Sequence, residues 1–223
     1  MMKISTGIEG LDKLMMGGFL KGRAYYIKGE SGTGRTTLGL QFLIEGAKKG
    51  ERVLFITLTE SAEYIKENSK NLFLEIEGID FLDLTPSSEY YRSAYDIFHP
   101  GEVERERIFE EITRKVEEIK PQRVFIDSIS EFRRLVPNAF VHKRQVISFI
   151  KFLNSIGATV LFTSETTQET PDQDLEFIAD GIIELKRDED GLKIAVRKTR
   201  GSDFVPGWHR MEIGEEGIKI CLF

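Results

Sequence analysis

The segment Gly29-Glu30-Ser31-Gly32-Thr33-Gly34-Arg35-Thr36-Thr37 constrains this chain more than any other feature. Its frame is a glycine, four residues, a second glycine, a cation and then a hydroxyl. Before it, Ala24-Tyr25-Tyr26-Ile27-Lys28 reads as a short buried strand. After it, Leu38, Phe42, Leu43, Ile44 and Ala47 recur at helical spacing. A glycine loop between a strand and a helix is suited to holding phosphate. Glycines let backbone N–H groups turn inward, and the helix start adds unpaired amides. Gly29, Glu30, Ser31, Gly32, Thr33, Gly34, Arg35, Thr36 and Thr37 are therefore the candidate nucleotide-binding residues. Thr36 is placed to join a magnesium shell at the β- and γ-phosphates. Arg35 stands where the motif calls for lysine, so a planar fork replaces a compact point charge. An ordinary glycine turn is the bland alternative, and the flanking strand and helix argue against it.

The same strand-and-helix grammar repeats along the chain. Residues 52–58, 79–84, 124–127 and 159–163 read as further strands, and residues 62–70, the stripe Ile108, Ile112, Val116, Ile119, and residues 139–156 as helices. The strands are nearly continuous apolar runs, as in parallel strands covered on both faces. After residue 178 the rhythm changes to two hairpins, 181–187 with 191–199 and 208–213 with 217–221. The expected fold is α/β: a mostly parallel central sheet flanked by helices, with C-terminal antiparallel hairpins, in one domain over residues 1–223.

Asp127 ends a hydrophobic strand, so its carboxylate should emerge at the sheet edge that carries the glycine loop. It is the expected second magnesium residue beside Thr36; a helix cap or turn is the bland reading. Thr59, Glu60 and Ser61 follow another strand to the same edge. Glu60 is a candidate to orient or deprotonate an attacking water, against a plain solvated carboxylate. Thr163, Ser164 and Glu165 offer a hydroxyl that could sense the γ-phosphate.

Composition excludes several classes. The 223 residues are 40% hydrophobic and 30% charged, which fits neither general disorder nor a membrane bundle. No apolar stretch reaches the roughly eighteen residues of a membrane span. The first residues lack a signal-peptide core, so a cytoplasmic location is expected. Cys221 stands alone, excluding an intrachain disulfide or a cysteine zinc cluster; it is expected to be buried in the last strand. Trp208 is expected to fill an edge of the core. Tyr90, Tyr91, Tyr95 and Phe98 are expected to pack beneath their loop, the alternatives being an adenine pocket or contact with a neighbouring subunit. The formal charge of -6 gives no support for nucleic-acid binding. Arg133, Arg134, Lys143 and Arg144 form a local basic group, but residues 152–185 hold no Lys or Arg and several acids, the wrong sign for a phosphate backbone.

Taken together, the sequence resembles the KaiC-like branch of the RecA-type P-loop ATPases, with single-domain archaeal KaiC-like proteins the nearest in character. The resemblance rests on an ordered set: Ser5-Thr6-Gly7-Ile8-Glu9-Gly10-Leu11-Asp12, Gly17-Gly18, the loop from Gly29 to Thr37, Gln41-Phe42-Leu43, Arg123-Val124-Phe125-Ile126-Asp127-Ser128 and Lys198-Thr199-Arg200-Gly201. It implies a RecA-like core that binds ATP or ADP with Mg2+. It further implies a homo-oligomeric ring, commonly hexameric, with nucleotide between subunits. Lys198 and Arg200 match the tail cations that reach the neighbouring subunit's nucleotide. The family's acidic pair after the second strand matches Thr59 and Glu60, so its first acid is missing here. With Arg35 also departing from the pattern, the expectation is slow or absent hydrolysis in a ring or signalling subunit with a protein partner. Catalytic duties would fall to Glu60, Arg35, Lys198 and Arg200. The alternatives are a DNA-acting recombination or repair ATPase and a degenerate, non-hydrolysing structural partner.

Overall fold

Alternation of side chains between two faces organises the core. In the strand Val53–Thr57, Val53 and Phe55 join one apolar cluster while Leu54 and Ile56 join another. Phe125 likewise faces away from Val124 and Ile126, and Leu161 from Val160 and Phe162. A strand that buries both faces needs helices on both sides, and the chain supplies them. The computed structural model describes residues 2–72, 74–85, 102–135, 139–164 and 173–221.

In chain order the elements are β1 (Lys3–Ile4), α1 (Glu9–Leu14), β2 (Phe19–Leu20), β3 (Ala24–Lys28), α2 (Arg35–Lys48), β4 (Val53–Thr57), α3 (Ala62–Asn71) and β5 (Ile79–Asp83). There follow α4 (Glu102–Ile119), β6 (Arg123–Asp127), a 3-10 helix (Ile129–Leu135), α5 (Ala139–Ser155), β7 (Thr159–Thr163) and α6 (Gln173–Ile178). Four strands complete the described chain: β8 (Gly181–Asp188), β9 (Gly191–Thr199), β10 (His209–Gly214) and β11 (Gly217–Cys221). Nine of the strands form one sheet in the order β11-β10-β9-β8-β3-β7-β6-β4-β5. Pairing is parallel from β8 to β5 and antiparallel from β8 out to β11. This is the expected α/β architecture, including both terminal hairpins. A separate two-stranded ribbon pairs β1 with β2.

One glycine sets how closely α2 lies on the sheet. A Cβ at Gly39 would stand 2.2 Å from the Phe125 ring, so only glycine lets the helix backbone approach that ring. The N-terminal turn of α2 is thereby held against the strands that carry the site.

Some elements carried no readable signal. The two-residue strands β1 and β2 are too short to show a period, and α1 and α6 have six residues each. The helix from Ala62 does begin at the expected cap, with Ser61 accepting from the Tyr64 amide. Two expectations are corrected. Cys221 is exposed, because β11 is the outermost strand and has a neighbour on one side only. Trp208 does not plug the core; it is half-buried, with Lys186 and Arg197 each 4.4 Å from its ring. Tyr90, Tyr91, Tyr95, Phe98 and Glu165, and the side chains of Arg133 and Arg134, lie outside the described residues. No helix among the described residues is long and apolar enough to cross a membrane.

Candidate nucleotide site

The register brings strand ends level at one edge. Thr57 of β4 lies opposite Asp127 of β6, and Ile27 of β3 opposite Thr163 of β7. The glycine loop leaves β3 at this same edge and runs into α2. Gly34 is the N-cap of α2, with φ +93°, in the left-handed region that disfavours side chains. Any Cβ there would also stand 2.5 Å from Ile213 Cδ1 on β10. Having no side chain, Gly34 caps nothing, so the first amides of α2 stay open to an anion. Thr33 tucks inward, its Oγ1 donating to the Glu30 carbonyl at 2.7 Å, while Glu30, Ser31 and Gly32 face solvent.

Asp127 is held from two sides. Thr36 Oγ1 donates to its Oδ2 at 2.7 Å, and Thr163 Oγ1 donates to its Oδ1 at 2.5 Å. With its proton directed at Asp127, the Thr36 hydroxyl has lone pairs free for a cation. Thr36 and Asp127 are hard oxygen donors, the type that suits Mg2+, which takes few protein ligands and fills its octahedron with phosphate oxygens and water. The residues present therefore fit a magnesium nucleotide. No cluster of three or more His, Cys, Asp or Glu suited to a metal occurs among the described residues.

A cavity of about 310 Å³ lies over this edge, lined among others by Gly34, Thr36, Thr59, Glu60, Asp127 and Ile213. Glu60 sits on its rim. The Thr57 hydroxyl donates to the Glu60 carbonyl and fixes the bend after β4. Partial burial, and secondarily the Asp127 charge, push the Glu60 carboxyl above the ordinary glutamate range. A raised carboxyl pKa suits a group that must take and return a proton. Thr59 brings no charge to the position beside it.

Arg35 Nη1 donates to the Ser164 carbonyl at 2.6 Å. Its guanidinium thus bridges from α2 to the end of β7. Thr163, considered as a γ-phosphate sensor, has its hydroxyl proton on Asp127.

Lys198 and Arg200 are not brought into this cluster. β9 runs antiparallel to β8, so Lys198 and Thr199 lie level with Ile182 and Gly181, which pair with Tyr26 and Tyr25 of β3, upstream of the loop. Lys198 Nζ donates to the Glu176 carbonyl at 2.6 Å, and Arg200 Nη2 to the Phe177 carbonyl at 2.9 Å. Burial, then the nearby Arg200 charge, pulls the Lys198 pKa down. Lys143, from the basic group, is paired with Asp174.

Sequence reasoning missed Thr57, Ile65 and Ile213 as site residues. Thr57 ends the strand that leads to Thr59 and Glu60, whereas Ile65 and Ile213 carry no local motif and only sheet order brings β10 against the loop.

This arrangement agrees with the comparison to known families. A protein-family model described as "ATPase: KaiC" matches residues 4–222. The chain belongs to this KaiC family of ATPases. Among its relatives is the "Circadian clock oscillator protein KaiC" of Parasynechococcus marenigrum (strain WH8102), 30% identical over 98% of this chain and 44% of its own length. The protein of the same name from Picosynechococcus sp. (strain ATCC 27264 / PCC 7002 / PR-6) is 31% identical over 98% of this chain and 42% of its own. That of Synechococcus elongatus (strain ATCC 33912 / PCC 7942 / FACHB-805) is 28% identical, with 98% and 44% covered. The chain spans less than half the length of these curated relatives. They are cyanobacterial, whereas the sequence resemblance pointed to archaeal proteins; what the family match supports is the KaiC assignment itself.

Proposed function

We propose that this KaiC-family chain is a single nucleotide-binding domain that takes ATP or ADP with Mg2+ and hydrolyses ATP slowly. The observation that carries the reading is the Thr36–Asp127 hydrogen bond beneath the glycine loop, because it joins the two magnesium-type oxygens at the phosphate cradle. Backbone amides of the loop and of the α2 start would bind the β-phosphate. Thr36 and, through it or through water, Asp127 would hold Mg2+, which when bound neutralises the β- and γ-phosphate charge. Glu60 would orient the attacking water and accept its proton.

Two residues slow the chemistry. Arg35 is engaged with the Ser164 carbonyl, so its charge is poorly aimed at a γ-phosphoryl group. Thr59 cannot share proton transfer with Glu60. Turnover of the purified chain is expected below about 1 s⁻¹, the lower edge of ordinary enzymes. Arg35→Lys should raise kcat by about a hundredfold or more, the scale set by one well-aimed transition-state donor. A steady-state phosphate-release assay reads both; a wild-type rate above that edge would overturn the slow-hydrolysis reading.

Lys198 and Arg200 support assembly into a nucleotide-dependent ring. Held on the carbonyls of Glu176 and Phe177 and not lining the cavity over the loop, they would be available to a nucleotide held by another copy. A ligand shared between copies stabilises the assembly by mass action. Such a ring would act as a switch or signalling subunit in the cytoplasm, its oligomeric state reporting bound nucleotide to a protein partner.

A further inference from the structure

The short helix α6 touches both ends of the proposed machinery. Lys28 is the last residue of β3, directly before Gly29 of the phosphate loop, and its Nζ donates to Glu176 Oε1 at 2.7 Å. The backbone carbonyl of the same Glu176 receives Lys198, and the next carbonyl, Phe177, receives Arg200. Ala24, Tyr26 and Ile182 belong to one face of the sheet, and strand alternation together with the Ile182–Lys198 pairing puts Lys28 and Lys198 on that same face. Leu175 and Ala179 fasten α6 to that face through the core, fixing the helix between the two lysines.

We infer that Glu176 is a positioning residue that couples the chain's own phosphate loop to the cations it presents to a neighbouring copy. The inference rests on the assembly reading above. The physical route is short. A displacement of the loop pulls on Lys28, Lys28 on the Glu176 carboxylate, and the Glu176 backbone on Lys198. The open C-terminal carbonyls of α6 favour a nearby positive charge, so Lys198 and Arg200 are oriented by the helix end as well as by their own strand. The ion pair is half-buried, which lessens the water screening that weakens exposed pairs.

The test uses the full chain and Mg-ATP. Light scattering over a dilution series gives the assembly midpoint, and titration of a fluorescent ATP analogue at low protein concentration gives the nucleotide Kd of the dissociated chain. Glu176→Gln keeps the backbone carbonyl and side-chain size and removes only the charge. It should raise the assembly midpoint about tenfold while the nucleotide Kd moves less than twofold. Lys28→Gln reaches the same contact from a core strand and should do the same. The double variant should lose less than the sum of the two singles, because both break the Lys28–Glu176 linkage. A merely structural role would instead lower Tm and weaken both readouts together. Unchanged assembly in Glu176→Gln while Lys198→Ala loses it would overturn the inference alone, as would additive effects in the double variant. Absence of any Mg-ATP-dependent assembly in the wild type and in Lys198→Ala alike would overturn the assembly reading, and the inference with it.

Discussion

Asp127→Asn lowers the magnesium-dependent part of nucleotide affinity by about ten- to a hundredfold, the range for losing a partner that orients a metal ligand. Two hydroxyls point their protons at this carboxylate, one on each oxygen. Asparagine keeps the shape but replaces one acceptor by an NH2 donor, which faces a hydroxyl that is itself donating. Thr36 or Thr163 must then rotate, and the Thr36 lone pairs no longer face a cation in one fixed direction. The missing negative charge removes long-range attraction for Mg2+ as well. Phosphate contacts from the glycine loop do not involve Asp127, so binding measured in EDTA should be unchanged. Paired titrations with and without magnesium read the difference. An equal loss in both conditions would mean that Asp127 supports the loop and not the cation.

Arg123→Met lowers folding stability by about 1–3 kcal/mol, the cost of removing a buried charged donor from the groups around it. Arg123 is fully buried. Its Nε is paired with Glu51, and its Nη1 donates to the carbonyls of Ser5 at 2.8 Å and Phe42 at 2.9 Å. Its guanidinium also lies 4.7 Å above the Phe42 ring. One side chain thus ties the N-terminal segment to α2 and to the first residue of β6. Methionine fills much of the volume but leaves the Ser5 carbonyl without a donor, at about 1–3 kcal/mol, while the Phe42 carbonyl keeps its partner within α2. Glu51 is 21% exposed on its side chain and can turn to water once Arg123 is gone, whereas Glu51→Gln leaves the buried guanidinium without its carboxylate and should also destabilise the fold. Urea denaturation with a shared m-value measures both. A change under about 1 kcal/mol for Arg123→Met would show that the network is replaceable.

Arg123 also marks the limit of what the sequence discloses. An arginine opening a strand reads as a surface residue, and its burial depends on four segments meeting around it. The sheet was legible, because period-two and continuous apolar runs are consequences of burial that leave a direct trace. The glycine loop between a strand and a helix was legible for the same reason: its glycines answer to backbone geometry close to the residues themselves, as at Gly34. The pairing of Thr36 with Asp127 followed from both standing at strand or helix ends on one edge. The contacts of Arg35 with Ser164 and of Lys28 with Glu176 were not legible, since each joins positions more than a hundred residues apart. Trp208 and Cys221 misled for a related reason. Hydrophobic character suggests burial, but Trp208 stands in the loop before β10 and Cys221 is the last residue of the outermost strand.

The central claim is that the loop from Gly29 to Thr37, with Thr36 and Asp127, holds a magnesium nucleotide. Isothermal titration of the purified full chain with ATP and ADP, in magnesium and in EDTA, tests it most directly. The account predicts one nucleotide per chain, bound at least about tenfold more tightly when magnesium is present. No heat with either nucleotide at high protein concentration, or identical isotherms with and without magnesium, would contradict it.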